Sequence, residues 1–154
     1  MRKKLSAYEY VINRLAARDY SESQLRKRMK EREHPEKEID EAIDRAIEQG
    51  YLSDERFSAS FVRQKVDVQL WGKQRVRLGL VQAGIASHMI DQALSEVDWD
   101  NGWLEAYYRK YGLTQPADHK DRQRRIGYIA RKGFVARIPD QEALDTWAEN
   151  NGLI

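Results

Sequence analysis

Three histidines, His34, His88 and His119, could bind a metal or relay protons only if the chain gathered them. They lie far apart, with no metal-ligand spacing between any two. The chain has no cysteine, so thiolate metal sites and disulfide frameworks are also excluded. Gly72-Lys73-Gln74-Arg75 holds the Gly-Lys pair of a phosphate loop but lacks the earlier glycine and the trailing Ser or Thr. The carboxylates of Glu38, Asp40, Glu41, Asp44 and Glu48 fall on the outer face of a helical pattern, where solvation explains them. No catalytic constellation can be assembled. A protein that is not an enzyme and needs no cofactor is expected.

Basic residues offer a different chemistry. Arg26, Lys27 and Lys30 share one short helical segment, and Lys73, Arg75 and Arg77 share another. A third segment carries Lys120, Arg124, Arg125 and Arg131, of which Lys120, Arg124 and Arg131 form one outward strip. With Arg18 and Lys132 these are the candidate binding residues. Taken singly, each cluster reads as a solvated helix face. At equivalent places in three similar units they can line one extended surface for an anionic partner. The tryptophans Trp71, Trp99, Trp103 and Trp147 could stack on bases, but helix ends and apolar stripes make packing the better reading for them.

The elements that must carry these charges are helices. Ser6-Ala7-Tyr8-Glu9 and Ser21-Glu22-Ser23-Gln24 are capping boxes. Leu5, Tyr8, Val11, Ile12, Leu15 and Ala16 recur at helical spacing after the first, and Leu25 and Met29 after the second. The first helix is expected from Ala7 to Arg18. Pro35 suits the first position of a third helix, whose inward stripe is Ile39, Ala42, Ile43, Ala46 and Ile47. Gly50-Tyr51-Leu52-Ser53-Asp54-Glu55-Arg56-Phe57 is a hinge between units. Gly50 ends one helix, Ser53 caps the next, and Leu52 with Phe57 stands where a hydrophobic staple belongs.

The grammar then repeats. Tyr10, Val11, Leu25 and Met29 correspond to Phe61, Val62, Val76 and Leu80 at an offset of about 51 residues, the self-similarity of a repeat architecture. Ile85, Met89, Ile90, Ala93, Leu94 and Val97 complete the second unit. In a more divergent third, Trp103, Leu104, Tyr107, Tyr108 and Tyr111 make one stripe. A helix over 118–131 follows with Ile126, Ile129 and Ala130 inward, and Ile138, Ala143, Leu144 and Trp147 make the last stripe. No strand-like alternation is present. The expected fold is all-α: three tandem three-helix repeats, residues 1–50, 51–97 and 98–154, forming an elongated, curved, monomeric array.

Of the 154 residues 34% are charged, against roughly 25% in ordinary globular chains, while the 41% hydrophobic fraction still suffices for a core. The net charge of +2 conceals segregation. Basic stretches at 1–34, 56–95 and 106–137 alternate with acidic ones at 35–55, 96–105 and 138–154. Met1-Arg2-Lys3-Lys4-Leu5 is a basic start with no apolar run after it, and no segment approaches the ~20 apolar residues of a membrane span. A cytoplasmic protein is expected.

Several of these motifs occur together in one known family. Leu15-Ala16-Ala17-Arg18, Tyr20-Ser21-Glu22-Ser23-Gln24-Leu25-Arg26, the hinge at 50–57, Gly72 before a basic helix, Gly84-Ile85 and Arg131-Lys132-Gly133-Phe134 together resemble the RecX family. Ser53 stands where the family has an acidic residue, and either caps a helix. The resemblance implies a bacterial regulator that binds in the groove of RecA filaments on single-stranded DNA. It would inhibit ATP hydrolysis, strand exchange and co-protease activity by limiting filament growth. Two other classes fit the residues less well. A helix-turn-helix repressor would concentrate its basic residues on one recognition helix, and a pure protein scaffold would make no nucleic-acid contact.

Overall fold

The computed structural model describes residues 4–154, and the basic start Met1-Arg2-Lys3 lies outside the described residues. Among the described residues there are nine α-helices and no strand. They are α1 (Ala7–Ala17), α2 (Glu22–Glu31), α3 (Glu36–Glu48), α4 (Asp54–Asp67), α5 (Lys73–Gln82), α6 (Ser87–Ser95), α7 (Gly102–Tyr111), α8 (His119–Arg131) and α9 (Gln141–Asn150). The chain divides into two compact units. One takes residues up to Phe61 together with Gly79–Ala93, and the other takes Val62–Leu78 together with Leu94–Ile154.

In the first unit both capping boxes form. The Ser6 and Ser21 hydroxyls each accept from the third amide of their helix, and Glu9 and Gln24 accept in return from the cap amides. Pro35 sits one place earlier than expected, as the N-cap of α3, with extended backbone and no side-chain cap. Glu36 and Glu38 in the first turn offset that loss by placing negative charge against the helix dipole. Val11, Leu25, Met29, Ile39, Ile43 and Ala46 are buried where α1, α2 and α3 meet. Ile47 departs from the expected stripe and is 47% exposed. The chain turns away at Gly50 one residue after the α3 C-cap, so Ile47 in the last turn has no facing layer.

The hinge assembles as its residues dictate. Gly50 adopts φ +77°, which lets the Tyr51 and Leu52 amides reach back to the Ala46 carbonyl. Ser53 Oγ accepts from the Arg56 amide at 3.2 Å, and Leu52 and Phe57 are both buried. Asp54 adds a cross-link, accepting from the Glu22 amide at 2.8 Å. The Ser21 hydroxyl meanwhile donates to the Ala83 carbonyl at 2.5 Å.

The core of the second unit is Leu70, Ala106, Tyr107, Ile129 and Leu144, with Tyr111, Phe134 and Ile138 packed around it. Its tightest feature is a backbone approach. The Gly72 amide donates to the Lys132 carbonyl at 2.6 Å and the Gln74 amide to the Gly133 carbonyl at 3.3 Å. A Cβ on Gly72 would stand 2.5 Å from Gly133 C, and one on Gly133 would stand 2.5 Å from Arg75 Cβ. Glycine is therefore required at both places. Ala130, expected inward, is exposed, and Ile126 is only half-buried. The buried face of α8 is rotated to carry Asp121, Arg125 and Ile129.

Candidate functional site

The predicted basic residues fall into three groups. In the first unit, Arg26 is held between two helices, 2.6 Å from Asp40 of α3 and 3.8 Å from Glu22. Its hydrogen bond to Asp40 raises its pKa further, so it stays charged, and the two carboxylates beside it offset that charge. Arg18 lies 4.3 Å over the Tyr20 ring, while Lys27 and Lys30 are exposed on α2.

A second group leaves the surface or is paired there. Arg125 is not a surface cation: it is 8% exposed, 3.1 Å from Asp121, and donates from Nη1 to the Tyr107 hydroxyl and the Thr114 carbonyl, both at 2.8 Å. An arginine four residues after an aspartate on the buried face of α8 pairs inward, because the planar guanidinium reaches partners on both sides at once. Arg124 also pairs with Asp121, from the solvent side. The amide of Ala117, followed by Arg125 and Arg124, holds the Asp121 carboxyl down to about 2. Lys120 is exposed nearby on α8.

The third group converges. In the second unit Arg75, on α5, lies 4.1 Å over the Trp71 ring and donates to the Arg131 carbonyl at 3.1 Å. Lys132, the C-cap of α8, is half-buried and donates from Nζ to the Gln69 carbonyl at 2.7 Å. Lys110, at the end of α7, completes the set, with Lys110 and Lys132 both within 5.7 Å of the Tyr128 ring. Burial lowers the Lys132 ammonium below the usual lysine range, and the charges of Arg75 and Lys110 push it the same way. Lys73, Arg77 and Arg131 belong to the same unit, Lys73 and Arg131 exposed and Arg77 half-buried.

These side chains border a cleft of about 440 Å³ lined by Trp71, Arg75, Arg109, Lys110, Tyr128 and Lys132, together with Val68, Gln69 and Leu70. No carboxylate lines it, and among the described residues Arg109 alone of its cations has an acidic partner, Glu105 at 2.6 Å. Cations from three separate stretches and two aromatic rings, with no carboxylate in the lining, form a receptor for an anion with flat or apolar parts. Among the described residues no group of three or more His, Asp or Glu could hold a metal. Arg109, Lys110 and Tyr128 were not among the residues expected from the sequence. The available signal was the interleaving in Tyr107-Tyr108-Arg109-Lys110-Tyr111, where two cations suit a helix C-terminus and draw no notice.

Comparison with known proteins agrees with this architecture. The model of the RecX first three-helix domain matches residues 7–45, and that of the second three-helix domain matches residues 53–94. A regulatory protein RecX from Haemophilus influenzae (strain PittEE) is 41% identical over 132 residues, covering 83% of this chain and 86% of that one. One from Ectopseudomonas mendocina (strain ymp) is 34% identical over 132 residues, covering 84% and 87%. The crystal structure of RecX from Lactobacillus salivarius superposes with a TM-score of 0.68 at 18% identity, covering 96% of each chain. Another crystal structure of a regulatory protein RecX gives a TM-score of 0.71 at 22% identity over 94% of this chain and 71% of that one. Two family domains in the expected order and relatives matched along most of their length lead to one conclusion: this chain belongs to the RecX family of regulatory proteins.

Proposed function

We propose that this protein restrains the RecA recombinase by lying, as a monomer in the cytoplasm, in the groove of RecA filaments on single-stranded DNA. There it limits filament growth and with it ATP hydrolysis, strand exchange and co-protease activity. The observation that carries the reading is the cleft of Arg75, Lys110 and Lys132 around Trp71 and Tyr128, a cationic and aromatic site with no carboxylate in its lining. Such a site suits the phosphate and base of an exposed strand inside a protein polymer. Lys73, Lys120 and Arg131 are further exposed cations of the same unit, and Lys27 and Lys30 are exposed on the other unit.

The test is inhibition of single-strand-dependent RecA ATPase by charge-reversed variants at several salt concentrations, with circular dichroism as the folding control. Arg75→Glu with Lys132→Glu is expected to weaken inhibition. Each phosphate no longer neutralised should also flatten the salt slope of single-strand binding by about 0.7. Glu41→Lys with Asp44→Lys, on the exposed face of α3, is expected to leave inhibition intact. Equal potency of the two pairs would overturn the assignment of the cleft.

A further inference from the structure

A second cleft in the same unit has the opposite electrostatic character. About 850 Å³ in volume, it is walled by Trp71, Trp99, Leu104, Phe134 and Trp147. Asp67, Asp98, Glu105, Asp140 and Glu142 edge it, and no lysine or arginine does. Among the described residues only Glu105 of these five has a cationic partner, Arg109.

The tryptophans separate into two pairs. Trp103 is buried and carries Arg137 at 3.9 Å over its ring, and Trp71 carries Arg75 at 4.1 Å and Lys65 at 4.6 Å. Trp99 and Trp147 are half-buried, border the cleft, and have no cation of the described chain over them. Both rings are nevertheless fixed. The Trp99 indole N–H donates to the Leu94 carbonyl at 2.9 Å, and Trp147 packs at 5.4 Å against Tyr108.

Asp98 and Asp140 accept from the Asp100 and Ala143 amides, which leaves their charge in place. Half-exposed indoles beside carboxylates that, Glu105 apart, have no cationic partner among the described residues attract a cation twice, through the ring quadrupole and through the carboxylate charge. The carboxylates are spread around an aromatic wall and do not converge as a metal site would. They repel nucleic acid, so the strand cannot be the occupant. Leu153 and Ile154 are exposed and neither lines the cleft.

We propose that this cleft docks a segment of the partner protein bearing lysine or arginine beside an apolar anchor. Resting on the reading above, it assigns the acidic cleft to RecA and leaves the basic cleft to the strand. Rigid aromatic anchors with a charged rim are the features that carry affinity in protein interfaces.

A benzophenone amino acid installed at Thr146, on the cleft lining, tests this in purified RecA filaments on single-stranded DNA. The expected crosslink is to a RecA segment rich in lysine or arginine. A crosslink to DNA, to another copy of this chain or to nothing, from protein that still inhibits, would overturn the inference. Trp147→Ala, and separately Asp67→Lys with Glu142→Lys at two exposed positions, are expected to weaken RecA inhibition about tenfold without reducing affinity for free single strands. The lysine variants guard against a folding defect in Trp147→Ala. Undiminished inhibition by them would refute the cleft assignment alone. Wild-type protein that leaves RecA turnover unchanged would refute the proposed function, and this inference with it.

Discussion

Gly133→Ala puts the backbone approach in the second unit to a quantitative test. Two costs add. Gly133 has φ +98°, and forcing a Cβ into the left-handed half of conformational space costs roughly 1–2 kcal/mol. The new Cβ would also stand 2.5 Å from Arg75 Cβ and 2.7 Å from the Arg75 amide nitrogen, neither of which lies at the end of a flexible side chain. Overpacking of that kind costs about 1–3 kcal/mol, so the expected loss is about 2–5 kcal/mol. Two other glycines separate the terms. Gly50 has φ +77° and nothing within 4 Å of its added Cβ, so Gly50→Ala should show the backbone cost alone, about 1–2 kcal/mol. Gly72 has no positive φ but meets Gly133 C and O at 2.5 Å, so Gly72→Ala should show the steric cost alone. Since Gly72→Ala and Gly133→Ala push on the same approach, the double variant should lose less than the sum of the singles. Urea unfolding followed by far-ultraviolet circular dichroism gives all four numbers, with the denaturant slope reporting any loss of cooperativity. A Gly133→Ala loss within about 0.5 kcal/mol of the Gly50→Ala loss would refute the claim that the two backbones are pressed together.

Other outcomes follow from particular contacts. Arg125→Ala removes a buried guanidinium from Asp121, Tyr107 and Thr114 and should cost about 3 kcal/mol in urea melts, against less than about 0.5 kcal/mol for the solvent-side Arg124→Ala. Phe57, 7% exposed and stacked on Phe61 with centroids 5.9 Å apart, should cost about 3–5 kcal/mol when cut to alanine; a near-wild-type urea midpoint would show the hinge staple to be slack. Burial lowers the His34 pKa below 6.5, with Lys4 and Arg32 adding to the shift and Glu38 opposing it. The fold therefore favours the neutral ring. Its contribution is complete above the unfolded value near 6.5 and is lost as pH falls through the folded value, so His34→Gln should flatten the decline in urea midpoint below neutrality. Asp121, with its pKa lowered from 3.8 to about 2, adds stability that is lost only as pH falls across that interval, which an acid titration of Asp121→Asn against wild type would reveal.

Much of the fold was legible because its signals are local. The capping boxes at Ser6 and Ser21, the glycine at 50 and the stripe of Ile39, Ala42, Ile43 and Ala46 act within a few residues, and the helices form where those signals place them. Legibility failed where three-dimensional context chose between equivalent faces. Arg125 and Arg124 are adjacent in the sequence, yet one faces the core and the other water, a distinction set by where Tyr107 and Thr114 arrive from another segment. Lys110 joined the cationic cleft for the same reason: its neighbours Arg75 and Lys132 lie far away in the chain. The basic character of the site could be read, but its membership could not. The tryptophans failed differently. Half-burial satisfies both packing and recognition, and only the three-dimensional fold shows that Trp71, Trp99 and Trp147 border clefts while Trp103 is buried.

The inward Arg125 also restricts how this sequence can drift over generations. Its guanidinium serves Asp121 on one side and Tyr107 with Thr114 on the other, a division that a lysine ammonium, with one nitrogen on a flexible stem, cannot reproduce. Losing either member first strands the other charge inside the protein, so every single-step path away from the pair passes through a weakened intermediate. Surviving lineages should keep both residues or exchange both together for an apolar pair of similar bulk. Positions 121 and 125 are thus expected to change in concert among relatives, while the neighbouring 120 and 124 wander independently.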